Sequence, residues 1–259
     1  MTPPIFTPDG TEVEEVILPD GSEASEVIAP DGAVVFNAIP DSEADQKLVH
    51  RWVLNDVNGT VEDSIGNADG SVDSAIDSVS GPWAGGSAAE NESGDNRIDT
   101  QDQLSAFVNS LDSGGAIAFS IKTTASEGVF IGSEAHTEDN EFMFYMETDG
   151  VLRISYSPDT GRGQITEDTG DWNDGDEHRV VWNDIDLDSD TADCWVDQSE
   201  LSTTNQTTGG APDPNKDIRF FGDGSGSLDL EPYVGVIDDI CMFDETLTDS
   251  EIQSYQNPW

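Results

Sequence analysis

The segment GVIDDICMFDETLTDSEIQ, Gly235 to Gln253, decides how the rest of the chain is read. Its first half carries Val236, Ile237, Ile240, Met242 and Phe243 between a glycine and a polar turn, which predicts a strand. Its second half predicts a helix start: Thr248 and Glu251 have the spacing of a capping box. Leu247 and Ile252 hold the flanking positions that pack across the first turn. Asp238 and Asp239 are neighbours in the strand, so a period of two sends them to opposite faces.

Upstream, short apolar runs alternate with turn clusters every ~10 residues, the pattern of an antiparallel β-sandwich. The runs are HRWVL from His50, GAIAFSIKT from Gly115, GVFIGS from Gly128, EFMFYME from Glu141 and VLRISYS from Val151. HRVVWND from His178, DCWVDQ from Asp193 and KDIRFFG from Lys216 complete the series. One helix interrupts it: Thr100 to Gln103 has capping-box spacing, followed by Leu104, Phe107, Val108 and Leu111 at helical intervals. Cys194 and Cys241 each sit in a strand-like run, which favours buried free thiols over the alternative of a bridge between them.

The texture changes near residue 45. Before it, a repeat of eleven residues places Pro8-Asp9-Gly10, Pro19-Asp20-Gly21 and Pro30-Asp31-Gly32 at equal spacing, with Pro40-Asp41 ending the run. Pro presets φ, Asp bonds its own backbone and Gly takes positive φ, so each copy is a turn. Between turns, Val13, Val16 and Ile17, then Val27 and Ile28, then Val34, Val35, Phe36 and Ile39 predict short strands. Strands with two or three apolar residues cannot bury a core alone. Residues 1–45 therefore read either as an acidic leader or as a β-meander stable only in an assembly, and the equal repeat favours the second. The expected organisation is an N-terminal anchoring and oligomerisation segment, 1–45, followed by a sandwich domain, 46–259.

The 259 residues hold 9 Lys and Arg against 55 Asp and Glu, a formal charge of −46. Such a polyanion repels phosphate backbones and anionic lipid, which excludes electrostatic binding to nucleic acid or membrane surfaces. No apolar run approaches the ~18 residues of a spanning helix, and no secretory signal is read at the N-terminus. Six Trp and ten Phe supply a core, so the charge is a solvent-facing coat and not a mark of disorder. Lysine is scarce, and in molar salt the Debye length falls to ~3 Å. The expectation is a halophile's protein that loses stability in dilute buffer.

Together these runs resemble the laminin-G-like, concanavalin-A-like jelly-roll family over about residues 50–256. The closing match is carried by Gly235, Ile237, Asp238, Asp239, Leu247, Glu251 and Ile252. The opening match is carried by Trp52, Gly59, Thr60, Asp63, Ser64, Gly66, Asn67 and Gly70. Trp83 and Gly86, then Asp176, His178 and Val180, then Trp195-Val196-Asp197 match the middle. The chain departs from the family at Leu54-Asn55, where the pattern has Phe-Asp, at Glu177, where it has Trp, and at Gln198, where it has Gly. The resemblance implies a jelly roll and admits two chemistries, a structural Ca²⁺ and a two-carboxylate glycosidase.

For calcium, the resemblance carries over Asp63 and Asp238 with Asn67 as a carbonyl ligand, a set of hard oxygens suited to that ion. Asp184, Asp186, Asp188 and Asp190 lack the glycine and glutamate of a Ca²⁺ loop and read as a solvated hairpin tip. For hydrolysis, Glu141 and Glu147 flank a strand roughly 20 Å apart, too far for either stereochemical course. His50, His136 and His178 are scattered, which disfavours zinc. No enzyme is expected.

For ligand binding, aromatic rings stack on sugars while Asp and Asn bond hydroxyls. Trp172, in the loop TGDWNDGDE with Asp171, Asn173 and Asp174, is the candidate exposed ring, set against the alternative that it packs under its own loop. Trp52, Trp83, Trp182 and Trp195 read as core, and Trp259 as a contact with a neighbour. The expectation is a non-enzymatic virion structural protein of a halophilic archaeal virus, such as a fibre, spike or turret, located at the virion surface. It would assemble with itself as a trimer or pentamer, and with other virion proteins, through residues 1–45, and present a lectin-like head to host glycans. The alternatives are a cellular surface module and a glycoside hydrolase.

Overall fold

In the computed structural model the chain forms two compact units, residues 1–46 and 47–259. The structure describes residues 46–55, 57–73, 75–81, 87–92, 96–100, 102, 104–133, 141–157, 163–207, 217–222 and 233–256, with strand segments 5–6, 12–13, 26–28 and 34–37. In the first unit Ile5–Phe6 pairs antiparallel with Glu12–Val13, and Glu26–Ile28 with Val34–Asn37. Each ladder brackets one Pro-Asp-Gly copy. The turns themselves lie outside the described residues, with Val16, Ile17 and Ile39, as do Trp83, Gly86, His136 and Trp259.

The second unit is the expected antiparallel sandwich. One sheet orders Ser199–Leu201, Thr191–Val196, Glu177–Asp186, Asp112–Lys122, Gly235–Phe243, Ser87–Asn91 and Ile76–Ser80. Its eighth strand, Leu48–Trp52, pairs with the second half of Gly235–Phe243. The other sheet orders Thr203–Thr207, Gly163–Glu167, Leu152–Ser157, Glu141–Met146, Gly128–Ser133, Ile218–Phe220, Ile98–Asp99, Gly70–Val72 and Thr60–Val61.

Alternate residues of both sheets meet in the core. Trp52 packs edge-on to Phe220 at 5.0 Å and Phe119 against Phe130 at 5.5 Å, each pair joining one sheet to the other. Each such large side chain contributes about 1.5–3 kcal/mol by leaving water. Trp182 and Trp195 are buried, and both cysteines are buried and free. Among the described residues no helix is long and apolar enough to cross a membrane.

Two helices among the described residues, Asp249–Gln256 and Ser105–Ser110, differ in how they begin. The last one, Asp249–Gln256, has its capping box: the Thr248 backbone N–H donates to Glu251 at 2.6 Å and the Glu251 N–H to the Thr248 hydroxyl at 3.4 Å. Leu247 and Ile252 are buried beside it. The other, Ser105–Ser110, corrects the expectation at Thr100. Leu104 precedes it at φ 44 with no side-chain cap, while the Thr100 hydroxyl donates to the Ile218 carbonyl at 2.8 Å, tying two strands instead.

Register gives the sandwich two distinct ends. Asp112 pairs with Asp186 and Phe243 with Leu48 at one end; Lys122 pairs with Glu177 and Val236 at the other. Lys47, the first residue of this unit, is fastened at the former. Its ammonium donates to the Thr246 carbonyl at 2.8 Å and to the capping-box Glu251 at 2.9 Å. The eleven-residue strand Asp112–Lys122 separates the ends by about 30 Å at ~3.3 Å per residue.

Candidate functional site

The end remote from Lys47 is built by the hairpin 147–151, the loop 168–176 and the turn that follows Lys122. Glu167 organises it. This carboxylate ends the strand Gly163–Glu167, is fully buried, and accepts five hydrogen bonds. They come from Leu152 N at 3.1 Å, Thr169 N and Oγ1 at 2.7 Å each, Gly170 N at 3.0 Å and Trp172 Nε1 at 3.1 Å. A buried charge persists only when satisfied in this way. Gly170 and Asp171 take positive φ to wrap the chain around it, and Trp172 N donates to the Gly150 carbonyl at 3.3 Å.

His178 pins the same loop from the neighbouring strand. Its Nδ1 lies 2.7 Å from Asp197 and its Nε2 3.1 Å from Asp174, while Trp172 meets its ring edge-on at 5.0 Å. The bond to Asp197 raises the imidazole above its ordinary value, burial opposes this, and Asp174 adds to it. Asp174 is lowered by the Asp176 backbone N–H and then by His178. The expected open Trp172 ring is corrected accordingly: it is half-buried against the core edge, with its N–H spent on Glu167. Asp171 is exposed, and Asn173 lies over Gly150, so the four loop residues are held together as one preformed rim.

Beside this rim, an open groove of about 760 Å³ crosses the outer face of the eight-stranded sheet. Lys122, Thr123, Thr124, Glu90, Glu92 and Val236 line it, and Gly175 joins it to the Trp172 loop through its N–H to the Thr123 carbonyl at 2.9 Å. Gly235 must be glycine here: at φ 145 a Cβ would stand 2.5 Å from the Lys122 carbonyl. Nothing in the sequence flagged Glu167, Lys122, Glu90 or Glu92, because the loop and the groove are assembled by strand register.

Asp63, the first of the calcium candidates, is already saturated with donors. Asp63 Oδ1 accepts from Arg51 N at 3.0 Å, Ile65 N at 3.2 Å and Gly66 N at 2.9 Å. Its Oδ2 meets Ala68 N at 3.2 Å and His50 Nδ1 at 2.6 Å. Burial opposes its charge, but these bonds hold Asp63 at about 2. Five donors on two oxygens leave no room for a cation that needs six to eight oxygens, so the residues present do not fit calcium at Asp63. Asn67 is exposed, and Asn55 Oδ1 is spent on Ser87 N at 2.7 Å. Among the described residues, no three His, Cys, Asp or Glu side chains are placed to hold a metal. The hairpin tip is also less solvated than expected: Asp190 is buried and accepts from the Tyr156 hydroxyl, and Asp184 accepts from Thr246.

Asp238 and Asp239 correct the alternation rule. The register shifts between Ala118 and Ser120, and Asp239 sits at φ 47, so an extra residue bulges and both acids act on the outer side. Burial and the adjacent Asp239 push Asp238 up to about 7. Asp239 is held low by Arg179 and Arg51 against the cost of burial, with Arg51 Nε 2.9 Å away. Split carboxyl pairs can serve acid–base catalysis, but Asp238 is buried above Gly81 and Asp239 is clamped by two guanidiniums. Glu147, at the end of the strand Glu141–Met146, is ion-paired with Arg153.

Residues 92–253 match the laminin-G family model described as the concanavalin A-like lectin/glucanases superfamily. Among solved structures, domain 4 of AbnA, a GH43 extracellular arabinanase from Geobacillus stearothermophilus, in complex with arabinotriose, is 16% identical with a TM-score of 0.59. That match covers 82% of this chain and 98% of the other. The binding domain of Paraclostridial Mosquitocidal Protein 1 is 13% identical with a TM-score of 0.61, over 83% of this chain and 52% of that one. A Trypanosoma rangeli sialidase in complex with 2,3-difluorosialic acid is 12% identical with a TM-score of 0.58, over 90% of this chain and 36% of that one. No curated protein matches the sequence. At these identities the likeness is one of fold.

Proposed function

Because the chain belongs to the concanavalin A-like lectin/glucanases superfamily, we propose that it is a non-enzymatic recognition module whose head binds carbohydrate at the end remote from Lys47. One observation carries this reading: an open groove runs into a preformed, hydrogen-bonded rim at that end. A site fixed before binding spends little free energy on ordering its loops. Glu147 and Asp239 are held by arginines and Asp238 is buried, which supports binding without turnover at those carboxylates.

The finer reading is a surface projection of a halophilic archaeal virus, assembled through its repeats as a homo-oligomer. Two short two-stranded ladders, each too small to be stable alone, support the oligomer. The charge of −46 supports the halophilic setting. Several heads on one particle would raise weak glycan affinity by avidity.

The test is a saccharide-binding screen of the full chain in molar KCl, with a reducing-sugar assay alongside. Retention of defined glycans without release of reducing ends is expected; release would make the protein a hydrolase. Mass measurement at the same salt should give a multimer, and a monomer overturns assembly through the repeats. Immunogold labelling of virus particles should mark their surface, and unlabelled particles would overturn the projection.

A further inference from the structure

We propose that the groove selects neutral, hydroxyl-rich saccharides and turns away sugars bearing carboxylate or sulfate. This rests on the carbohydrate-binding reading above and adds the chemical class of its ligand. Sheet register sets one row of side chains across the face that carries the groove, of which Lys122, Val236 and Glu90 line it. Glu177 pairs across to Lys122, Lys122 to Val236, Val236 to Glu90, and Glu90 to Asp77. Cross-strand partners share a face, so four of the five side chains are charged and three of those four are acids.

Among the described residues Lys122 is the one cation that lines the groove, and it is already engaged, 3.4 Å from Glu177. Glu90 and Glu92 line the same groove, and among the described residues neither is paired with a cation. Ionised carboxylates only accept hydrogen bonds, which suits the donating hydroxyls of a sugar. Thr124, which is exposed, adds a hydroxyl, and Val236 supplies an apolar patch for a sugar's C–H face. An anionic group would stand in contact with unneutralised carboxylates. Molar salt shortens the screening length only to ~3 Å, which leaves contact repulsion in place.

The test titrates the full chain in molar KCl with matched pairs: lactose against 3′-sialyllactose, and a neutral oligosaccharide against its sulfated form. The neutral member of each pair should bind more tightly by about tenfold or more, the equivalent of one decade in dissociation constant. Equal or tighter binding of the acidic member overturns this inference and leaves carbohydrate binding standing. Binding of neither class across the wider saccharide screen overturns the underlying reading instead. The double variant Glu90→Gln with Glu92→Gln removes charges that no ion pair among the described residues uses, so the fold should be kept, which melting checks. That variant should narrow the gap between matched sugars, and an unchanged gap places the selecting site elsewhere.

Discussion

His178 and Asp197 lie 19 residues apart in sequence and 2.7 Å apart in space, at opposite sides of a strand pair. Asp174 completes a carboxylate–imidazole–carboxylate bridge whose two ring nitrogens both donate only when the ring is protonated. The bridge therefore fixes the Trp172 loop in one protonation state.

The pH dependence follows from that state. The folded pKa of His178 is raised, by Asp197 first, with burial opposing and Asp174 assisting. Its contribution is complete below the unfolded value of about 6.5 and is lost as pH rises through the folded value. Both carboxylates are partly exposed, so the loss is about 1 kcal/mol. Melting curves should show stability falling as pH rises above about 6.5 in the wild type. In His178→Gln the fall should be flattened and Trp172 fluorescence should no longer change with pH.

Asp63 is a structural anchor. Asp63→Ala strips acceptors from the Arg51, Ile65, Gly66 and Ala68 backbone N–H groups and should cost about 3 kcal/mol. The wild-type contribution is present above about 3.8, the unfolded value, and is lost as pH falls through about 2. Calcium titration should leave the melting temperature of wild type unchanged; a calcium-dependent rise that disappears in the variant would restore Asp63 as a ligand.

Gln198 stands where the resembling family has glycine. Asp197 and Gln198 both take positive φ, 49° and 69°, in the two-residue turn between Thr191–Val196 and Ser199–Leu201. A side chain there costs about 1 kcal/mol. Gln198→Gly should raise stability by about that amount in denaturant titration, with no change in ligand binding.

Salt dependence should concentrate at the Lys47 end. Burial, then Asp188 and Asp186, push Asp112 up to about 6. A raised carboxyl destabilises the fold as pH climbs past its unfolded value, fully above about 6. Asp112→Asn should therefore stabilise at neutral pH by about 1 kcal/mol in dilute buffer, and by less in molar KCl. Wild type should lose melting temperature steadily as salt is diluted; a salt-independent curve would contradict the halophilic reading.

The long strands were legible because their apolar residues run on: Asp112–Lys122 and Gly235–Phe243 are buried through most of their length. The two- and three-residue strands Thr60–Val61, Gly70–Val72 and Ile98–Asp99 carry no periodicity to read. They exist because neighbours pair with them. Thr100 has the spacing of a cap, but tertiary contact with Ile218 won its hydroxyl. Trp172 was visible as a loop aromatic, whereas Glu167 and His178, which hold it, reach it from strands whose register no local pattern encodes. A bulge at Asp239 overrode alternation for the same reason.

The fastening of Lys47 gives the head a mechanical direction. A load between the remote rim and Lys47 would run along the strand axes. The Leu48–Trp52 strand is antiparallel to Gly235–Phe243 and bonded to its second half, its one partner strand among the described residues. Tension applied there shears that ladder's hydrogen bonds together and does not peel them singly, and the clasp from Lys47 to Glu251 and Thr246 must rupture first.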